Sequence, residues 1–398
     1  MLPLAADGAQ RPDLRSLSLP ELQLLVDRMG EKPYRARQLF RWLHLRGAAS
    51  FDEMTDLPRP LRGRLAAETR LATLAIDAVQ QSADGTRKYR LRTHDGKFVE
   101  AVYMPDEAGA ESFDPEPDPE AEGSSPGGGP QARVRRTLCV STQVGCAMGC
   151  GFCMTATMGL VRNLSAGEIA DQVYRVNADL RGLGIEGDRP LTNLVYMGMG
   201  EPLHNYAQVM RSLELLLHEE GAHFSHRHIT VSTSGLVPNI VRFGEETQVK
   251  LAVSLNATTD AQRAKLMPVD KKWNIAALVD AIRKFPSKQG RRVTFEYVLL
   301  RGVNDSDEDA ARLAGLLRPL PVKVNLIPYN ENPGLGFGDP GQERVQAFRA
   351  ELIRRGVTAM VRKNRGRDIA AACGQLAAGG QKDGARDARS ARGSADAH

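Results

Sequence analysis

The chain has 398 residues, 42% of them hydrophobic, enough for one large domain with a buried core and one smaller domain. No apolar run approaches the ~20 residues of a membrane span, and the start Met-Leu-Pro-Leu-Ala-Ala-Asp lacks a signal-peptide pattern. The expectation is therefore a cytoplasmic protein with no membrane contact, its five cysteines fitting a reducing compartment better than a disulfide framework, and its net charge of +5 fitting a nucleic-acid partner or ordinary solubility alike.

Residues 18–70 carry a helical pattern. Leu19, Leu22, Leu24, Leu25 and Met29 make one apolar stripe and Leu39, Phe40, Trp42 and Leu43 another, with Gly30 and Gly47 as stops. Arg35, Arg37, Arg41 and Arg46 make the second segment basic, a face suited to phosphates or simply to solvent. Residues 74–104 read as strands with turns at Asp84-Gly85 and Asp95-Gly96, so residues 1–104 form a small accessory domain of helices and strands.

Residues 105–133 break this pattern. Asp-Pro-Glu-Pro-Asp-Pro-Glu followed by Gly-Ser-Ser-Pro-Gly-Gly-Gly-Pro cannot bury a core and reads as a disordered insert. Residues 106–122 hold eight acidic side chains and no basic one; without them 53 basic residues face 40 acidic ones, a balance of +13. Such an excess suits a polyanion.

From 134 to 364, strands alternate with amphipathic helices. The strands are expected at Thr137–Thr142, Asn193–Met197, His228–Ser232, Lys250–Leu255, Arg292–Leu299 and Lys323–Pro328, and a capping box at Ser165-Ala-Gly-Glu168 opens the first helix. Six strand–helix units predict an α/β fold, a parallel sheet whose carboxyl edge builds the site. A further strand at Val357–Lys363 precedes a C-terminal segment, 365–377, that carries Cys373; residues 378–398 read as a disordered tail.

The chemistry is concentrated in Cys146-Ala-Met-Gly-Cys150-Gly-Phe-Cys153. Three thiolates can hold three irons of a four-iron, four-sulfur cluster and leave the fourth open to a small molecule. Structural zinc wants four ligands, and no second Cys or His pair lies nearby; a redox Cys-x-x-Cys leaves Cys146 unexplained; buried inert thiols are the third alternative. The glycines around these cysteines let backbone wrap an inorganic core. The second strand ends in Met197-Gly-Met-Gly200-Glu201-Pro202; Ser232, Ser254-Leu255-Asn256 and Asn330 end the third, fourth and sixth. These are short polar groups suited to a nucleoside or an amino-acid head, though singly each reads first as a strand cap or turn residue.

The cysteine spacing resembles the signature of the radical S-adenosylmethionine (SAM) enzymes, and the Gly200-Glu201 run resembles the element that meets the amino group of SAM there. Further runs make the resemblance narrower: Leu138-Cys139-Val-Ser-Thr-Gln-Val-Gly-Cys146, Thr230-Val-Ser-Thr-Ser-Gly235, Asn325-Leu-Ile-Pro-Tyr-Asn330 and Ala372-Cys-Gly-Gln-Leu376 are similar to the RlmN/Cfr family of RNA methyltransferases, over residues 18–377. That resemblance implies a partial (β/α)6 radical SAM barrel and a [4Fe-4S] cluster on Cys146, Cys150 and Cys153. It implies SAM bound by Gly200, Glu201, Ser232, Ser254, Leu255, Asn256 and Asn330. It also implies a methyl group carried on Cys373, a resolving thiol on Cys139 that forms a transient disulfide with Cys373, and a proton acceptor at Glu100. The expected substrates are adenine 2503 of 23S ribosomal RNA and adenine 37 of transfer RNAs, methylated at carbon 2, with carbon 8 methylation of 23S RNA as the alternative. The accessory domain is the expected RNA gripper, the protein a monomer, and the electron source a small donor such as flavodoxin or ferredoxin. The acidic insert departs from the family's short connection between Glu100 and Cys139.

Overall fold

The computed structural model describes residues 11–105, 135–185, 190–286, 292–332 and 334–377. The insert expected at 105–133, Pro105 apart, and the tail expected at 378–398 lie outside the described residues. Helix α1 (Leu19–Arg28) starts where the Glu21 carboxylate accepts from the Ser18 N–H at 2.7 Å and from its hydroxyl at 2.9 Å. With α2 (Tyr34–His44) and α3 (Arg59–Glu68) it encloses an apolar cluster containing Leu22, Leu25, Phe40, Leu43, Leu61 and Leu65.

Three antiparallel strands follow: β1 (Ala75–Gln81), β2 (Arg87–Arg92) and β3 (Phe98–Pro105). Strand β4 (Arg136–Cys139) leads into β5 (Gln143–Gly145), the short helix α4 (Met154–Thr157) and β6 (Leu160–Asn163). Then come α5 (Ala166–Gly182), β7 (Asn193–Tyr196), α6 (Tyr206–Leu217), β8 (Ile229–Thr233), α7 (Val237–Glu246) and β9 (Lys250–Ser254). The chain continues through α8 (Asp260–Leu266), α9 (Ile275–Lys284), β10 (Val293–Leu299), α10 (Asp307–Leu317), β11 (Val322–Pro328), α11 (Gln342–Arg354) and β12 (Ala359–Val361). The expected capping box is present: Ser165 accepts from the Glu168 N–H and Glu168 from the Ser165 N–H.

One ten-stranded sheet carries all of these except β5 and β6, in the order β1-β2-β3-β4-β7-β8-β9-β10-β11-β12. From β4 to β12 every pair is parallel, as crossover helices require; β3 meets β4 antiparallel. The accessory strands therefore extend the barrel sheet. The sheet curls: Arg362, just past β12, reaches to 3.9 Å from the Met197 sulfur, just past β7. This is an α/β partial barrel of the kind the family resemblance implies, with one parallel strand beyond the six expected.

The strand ends differ from expectation by up to three residues. Strand β4 stops at Cys139 because the next ladder belongs to the small β5–β6 pair. The helical cluster docks on α5 through Arg15, which is fully buried. It donates to the carbonyls of Leu43 at 2.8 Å and Ala48 at 2.5 Å and pairs with Asp171 at 3.3 Å. Among the described residues no helix is long and apolar enough to cross a membrane.

Candidate active site

The loop between β5 and β6 presents Cys146, Cys150 and Cys153. Gly145 (φ 76°) opens it, and a Cβ there would lie 1.8 Å from the Gly159 carbonyl, the same carbonyl that accepts from the Cys146 N–H at 2.9 Å. Only glycine closes this hairpin. Phe152, Leu266, Met267, Leu300 and Tyr329 wall the loop with apolar surface. Burial pushes the Cys146 thiol up to about 12, and that of Cys150 upward too, with the neighbouring cysteines adding to both. Such thiols need a bound cation to become thiolates.

Three thiols on one loop suit a multi-iron core held at three corners. Elsewhere among the described residues, ligand atoms of His94, Asp95 and Glu168 lie within 4.8 Å of one another. At the His94 group, Arg162 already supplies the cation: it donates to Asp95 at 2.9 and 2.8 Å and to Glu168 at 2.8 Å twice.

The Gly200-Glu201 turn packs against β5. A Cβ on Gly200 (φ 101°) would meet the Gln143 side chain at 2.6 Å, and Gln143 accepts from the Glu201 N–H at 2.8 Å. Glu201 is buried; its oxygens accept from the N–H groups of Leu203 at 3.0 Å and Ser234 at 2.7 Å. Burial pushes its carboxyl up, and these bonds pull against that. A carboxylate has lone pairs left for one further donor, such as an ammonium.

Residues of the next strands carry polar groups at the same edge. Ser232 donates to Glu296 at 2.9 Å, and Ser254 is Glu296's register partner. Leu255 is fully buried, its N–H given to the Glu296 carbonyl. The Asn256 side chain accepts from the Val298 N–H at 2.7 Å, tying β9 to β10. Asn330 accepts from Arg367 at 2.8 Å, which fixes it to the C-terminal segment. Buried Arg263 staples the strand ends by donating to the carbonyls of Ser234 at 2.7 Å, Ser254 at 3.2 Å and Leu255 at 3.1 Å, and pairs with Asp270 at 3.0 Å.

Cys139 and Cys373 line one small cavity, with Met197, Ile327 and Arg362 around them. Both are free thiols. Burial pushes Cys139 up to about 12, with Cys373 adding to it; burial also raises Cys373, against the pull of Arg362. Arg362 bonds to Cys373, and although burial opposes its charge, Cys373, Glu296 and Cys139 hold the guanidinium above its ordinary value.

The Cys373 segment is tied on both sides. The Gly374 carbonyl accepts from the Met154 N–H at 2.8 Å and the Leu376 carbonyl from the Thr155 hydroxyl at 2.6 Å, both next to Cys153. On the other side, Asp368 accepts from the Ser82 hydroxyl at 2.6 Å and the Ala83 N–H at 3.3 Å, and Asp84 from the Gly366 N–H at 3.0 Å. Glu100, on β3, accepts from the Ala377 N–H at 2.9 Å and lies 3.6 Å from the Lys88 ammonium, which also donates to the Ala370 carbonyl at 3.3 Å. Burial raises the Glu100 carboxyl, opposed by Lys88 and Ala377. Thus the accessory strands and the cluster loop hold the same twelve-residue stretch, 366–377.

Sequence reading missed Lys88, Glu296, Arg362 and Arg263. For Glu296 a signal existed: a lone acid inside the apolar run Val293-Thr-Phe-Glu-Tyr-Val-Leu299 of a doubly covered strand.

On α2, Arg37 and Arg41 are more than half exposed, 3.9 and 4.0 Å from Glu220. Arg46 stacks 4.1 Å over Trp42 and Arg35 4.8 Å over Tyr34. Planar cations on aromatic rings at an exposed face can meet phosphates and bases.

Comparison with known proteins agrees with this geometry. The Radical SAM superfamily profile matches residues 140–314, and the ribosomal RNA large subunit methyltransferase N-terminal domain matches residues 12–71. The dual-specificity RNA methyltransferase RlmN of Anaeromyxobacter dehalogenans is 62% identical over 382 residues, 96% of either chain. RlmN 2 of Myxococcus xanthus is 57% identical over 97% of this chain and 96% of its own. The crystal structure of a radical SAM methyltransferase from Sphaerobacter thermophilus superposes with a TM-score of 0.81 at 46% identity, covering 92% of this chain and 99% of that one. Members of the superfamily use a [4Fe-4S] cluster and SAM, the cofactors this site fits. The chain belongs to the RlmN family of radical SAM RNA methyltransferases.

Proposed function

We propose that this protein methylates carbon 2 of adenine 2503 in 23S ribosomal RNA and of adenine 37 in transfer RNAs, using Cys373 as the methyl carrier. The observation that carries the reading is the pairing of two reduced cysteines, Cys139 and Cys373, at one cavity beside the cluster loop, with Glu100 bonded to the segment that bears Cys373. The dual specificity named for the relatives supports two RNA substrates.

Carbon 2 of adenine lies between two ring nitrogens and is electron-poor, so it does not attack an electrophilic methyl. Cys373 instead takes the methyl first. Its thiol must lose a proton, and Arg362 supplies the positive charge that favours the thiolate against burial. Cys146, Cys150 and Cys153 would hold the cluster and the Gly200-Glu201 turn would hold the amino group of SAM. When bound, that pair supplies one-electron chemistry able to remove hydrogen from an S-methyl group. The Cys373 carbon then bonds to carbon 2 of the base, and Glu100 accepts the carbon 2 proton. Cys139 attacks the Cys373 sulfur, breaking its bond to the carbon, which takes up a proton to become the methyl group; the odd electron would return to the bound redox group, and a Cys139–Cys373 disulfide remains. An external reductant must reopen that bond, and a small donor such as flavodoxin or ferredoxin must supply electrons. The base has to leave its stack to reach the cavity, and the arginine-rich α2 face is placed to hold the RNA. We assign the protein to the cytoplasm, where its substrates are, and to a monomeric state.

The test is nucleoside mass spectrometry after incubating reconstituted enzyme with precursor ribosomal RNA and transfer RNA. The expected product is 2-methyladenosine from both. A product of 8-methyladenosine alone would make this a Cfr-like enzyme and overturn the reading.

A further inference from the structure

The cluster loop is anchored by its neighbours yet keeps an exposed stretch. Beyond Cys153 it is bonded to the Cys373 segment; before it, the Gly151 N–H donates to the Leu266 carbonyl at 2.9 Å, where α8 ends. A Cβ on Gly149 would lie 3.6 Å from the Pro268 ring, and one on Gly151 3.9 Å from the Phe337 ring. Ala147, Gly149 and Gly151 are exposed, so at these positions nothing larger than a methyl group covers the loop. Three exposed lysines flank the contacts: Lys265 in the last turn of α8, and Lys271 and Lys272 at the end of the short turn Pro268–Lys271. Among the described residues no carboxylate pairs with any of these ammonium groups; that of Lys272 stands 4.6 Å over the Trp273 ring. The acids nearby are engaged elsewhere. Asp270 is buried against Arg263, and Asp260 accepts from the Ile275 N–H at 2.9 Å. Beside Phe337, Asp339 pairs with Arg367 at 2.7 Å and Glu331 accepts from the Asp339 N–H at 3.2 Å. A positive rim therefore adjoins the sparsely covered part of the loop.

Exposed lysines are ordinarily solvated charge, and elsewhere on the surface these three would imply no partner. Their place gives them a use. The group held by the three cysteines must receive electrons from outside, and electron transfer falls steeply with distance, so a donor has to approach where side chains are fewest. A protein donor that lands on a positive rim is acidic, and long-range attraction speeds its arrival. Electron-transfer encounters are small and short-lived, so a few charges around bare backbone serve where a large apolar face would hold too long. RNA, the other polyanion in the proposed function, has the α2 face of arginines stacked on aromatic rings; this rim is all lysine in a chain whose cations are mostly arginine. We propose that Lys265, Lys271 and Lys272, beside exposed Ala147, Gly149 and Gly151, form the docking surface for an acidic one-electron carrier protein. At each encounter the carrier is oxidised by one electron and the cysteine-held group is reduced by one, with no bond made or broken. This rests on the function proposed above, in which a small donor supplies electrons, and adds where that donor lands.

The experiment mixes anaerobic, cluster-loaded protein with fully reduced flavodoxin in stopped flow and follows bleaching of the cluster absorbance. Photoreduced deazaflavin, small and uncharged, is the parallel reductant. At about 10 mM ionic strength, where charges act over ~30 Å, flavodoxin should reduce the triple variant Lys265→Gln, Lys271→Gln, Lys272→Gln roughly tenfold more slowly than wild type. Deazaflavin should reduce the two within about twofold of each other, and at about 1 M salt the flavodoxin difference should vanish. Carbodiimide coupling of wild type to flavodoxin, read by peptide mass spectrometry, should join flavodoxin carboxylates to Lys265, Lys271 or Lys272. Equal reduction of wild type and variant by flavodoxin overturns the surface, as does equal slowing with both reductants. A variant that keeps flavodoxin reduction but binds precursor ribosomal RNA at least about tenfold more weakly gives the rim to RNA and overturns it too. If the variant loads no cluster, the coupling decides, and links confined to other lysines refute the surface. Wild type that deazaflavin reduces and flavodoxin does not refutes the expected donor along with its landing place, whereas carbon 2 methylation is judged separately by its nucleoside product.

Discussion

Replacing Lys88 by methionine removes the ammonium 3.6 Å from Glu100 and leaves the apolar stem in place. At that distance and an effective dielectric of about 20, the pair is worth about 4–5 kcal/mol. Ala377 still donates to Glu100 and Arg90 still favours its charge, so only part of that is lost. Burial has already raised this carboxyl, and the variant raises it further. A proton acceptor must be ionised, so the acidic limb of the pH–rate profile for methylated RNA should move to higher pH, while Lys88→Arg leaves it in place. Stability changes with the same sign. A carboxyl raised in the fold contributes fully below its unfolded value and less as pH climbs through the folded one, so the Lys88→Met deficit grows from acid toward neutral pH. A limb displaced by less than about 0.3 units would refute the proton-acceptor role of Glu100.

Gly145→Ala forces a Cβ onto the Gly159 carbonyl and a left-handed backbone, costing about 2–4 kcal/mol between strain and the lost Cys146 bond; iron content after anaerobic reconstitution should fall well below wild type. Arg15→Met leaves the Leu43 and Ala48 carbonyls without their donor and Asp171 with Arg175 and the Leu74 N–H alone, and should cost about 3 kcal/mol in denaturant titration. Asp368→Ala frees the Ser82–Ala83 turn from the Cys373 segment, so amide exchange over residues 366–377 should accelerate while the barrel strands stay protected. Unchanged exchange there would show that Asp84, Lys88, Glu100 and the cluster loop hold the segment without Asp368.

Much of the fold was readable because its signals are local. Alternating strand and helix patterns gave the six parallel strands within a few residues, and the Ser165–Glu168 box marked a helix start correctly. The attachment of β3 to β4 was not readable, since an antiparallel pair across a long insert is fixed by side-chain packing and not by turn chemistry. The β5–β6 pair was missed for its length: three and four residues show no period. At the site, spacing alone exposed Cys146, Cys150 and Cys153. Cys139, Cys373 and Glu100 carried no local mark and came from family resemblance. Lys88 and Arg362 carry no local mark in the sequence; only the folded chain puts them against Glu100 and Cys373.

The most direct measurement is tandem mass spectrometry of Cys139→Ala after anaerobic incubation with SAM, reductant and precursor ribosomal RNA. The prediction is a covalent adduct in which one carbon bridges the Cys373 sulfur and carbon 2 of adenine, absent in Cys373→Ala. Multiple turnovers by Cys139→Ala with no RNA–protein adduct would contradict the pairing of these two thiols.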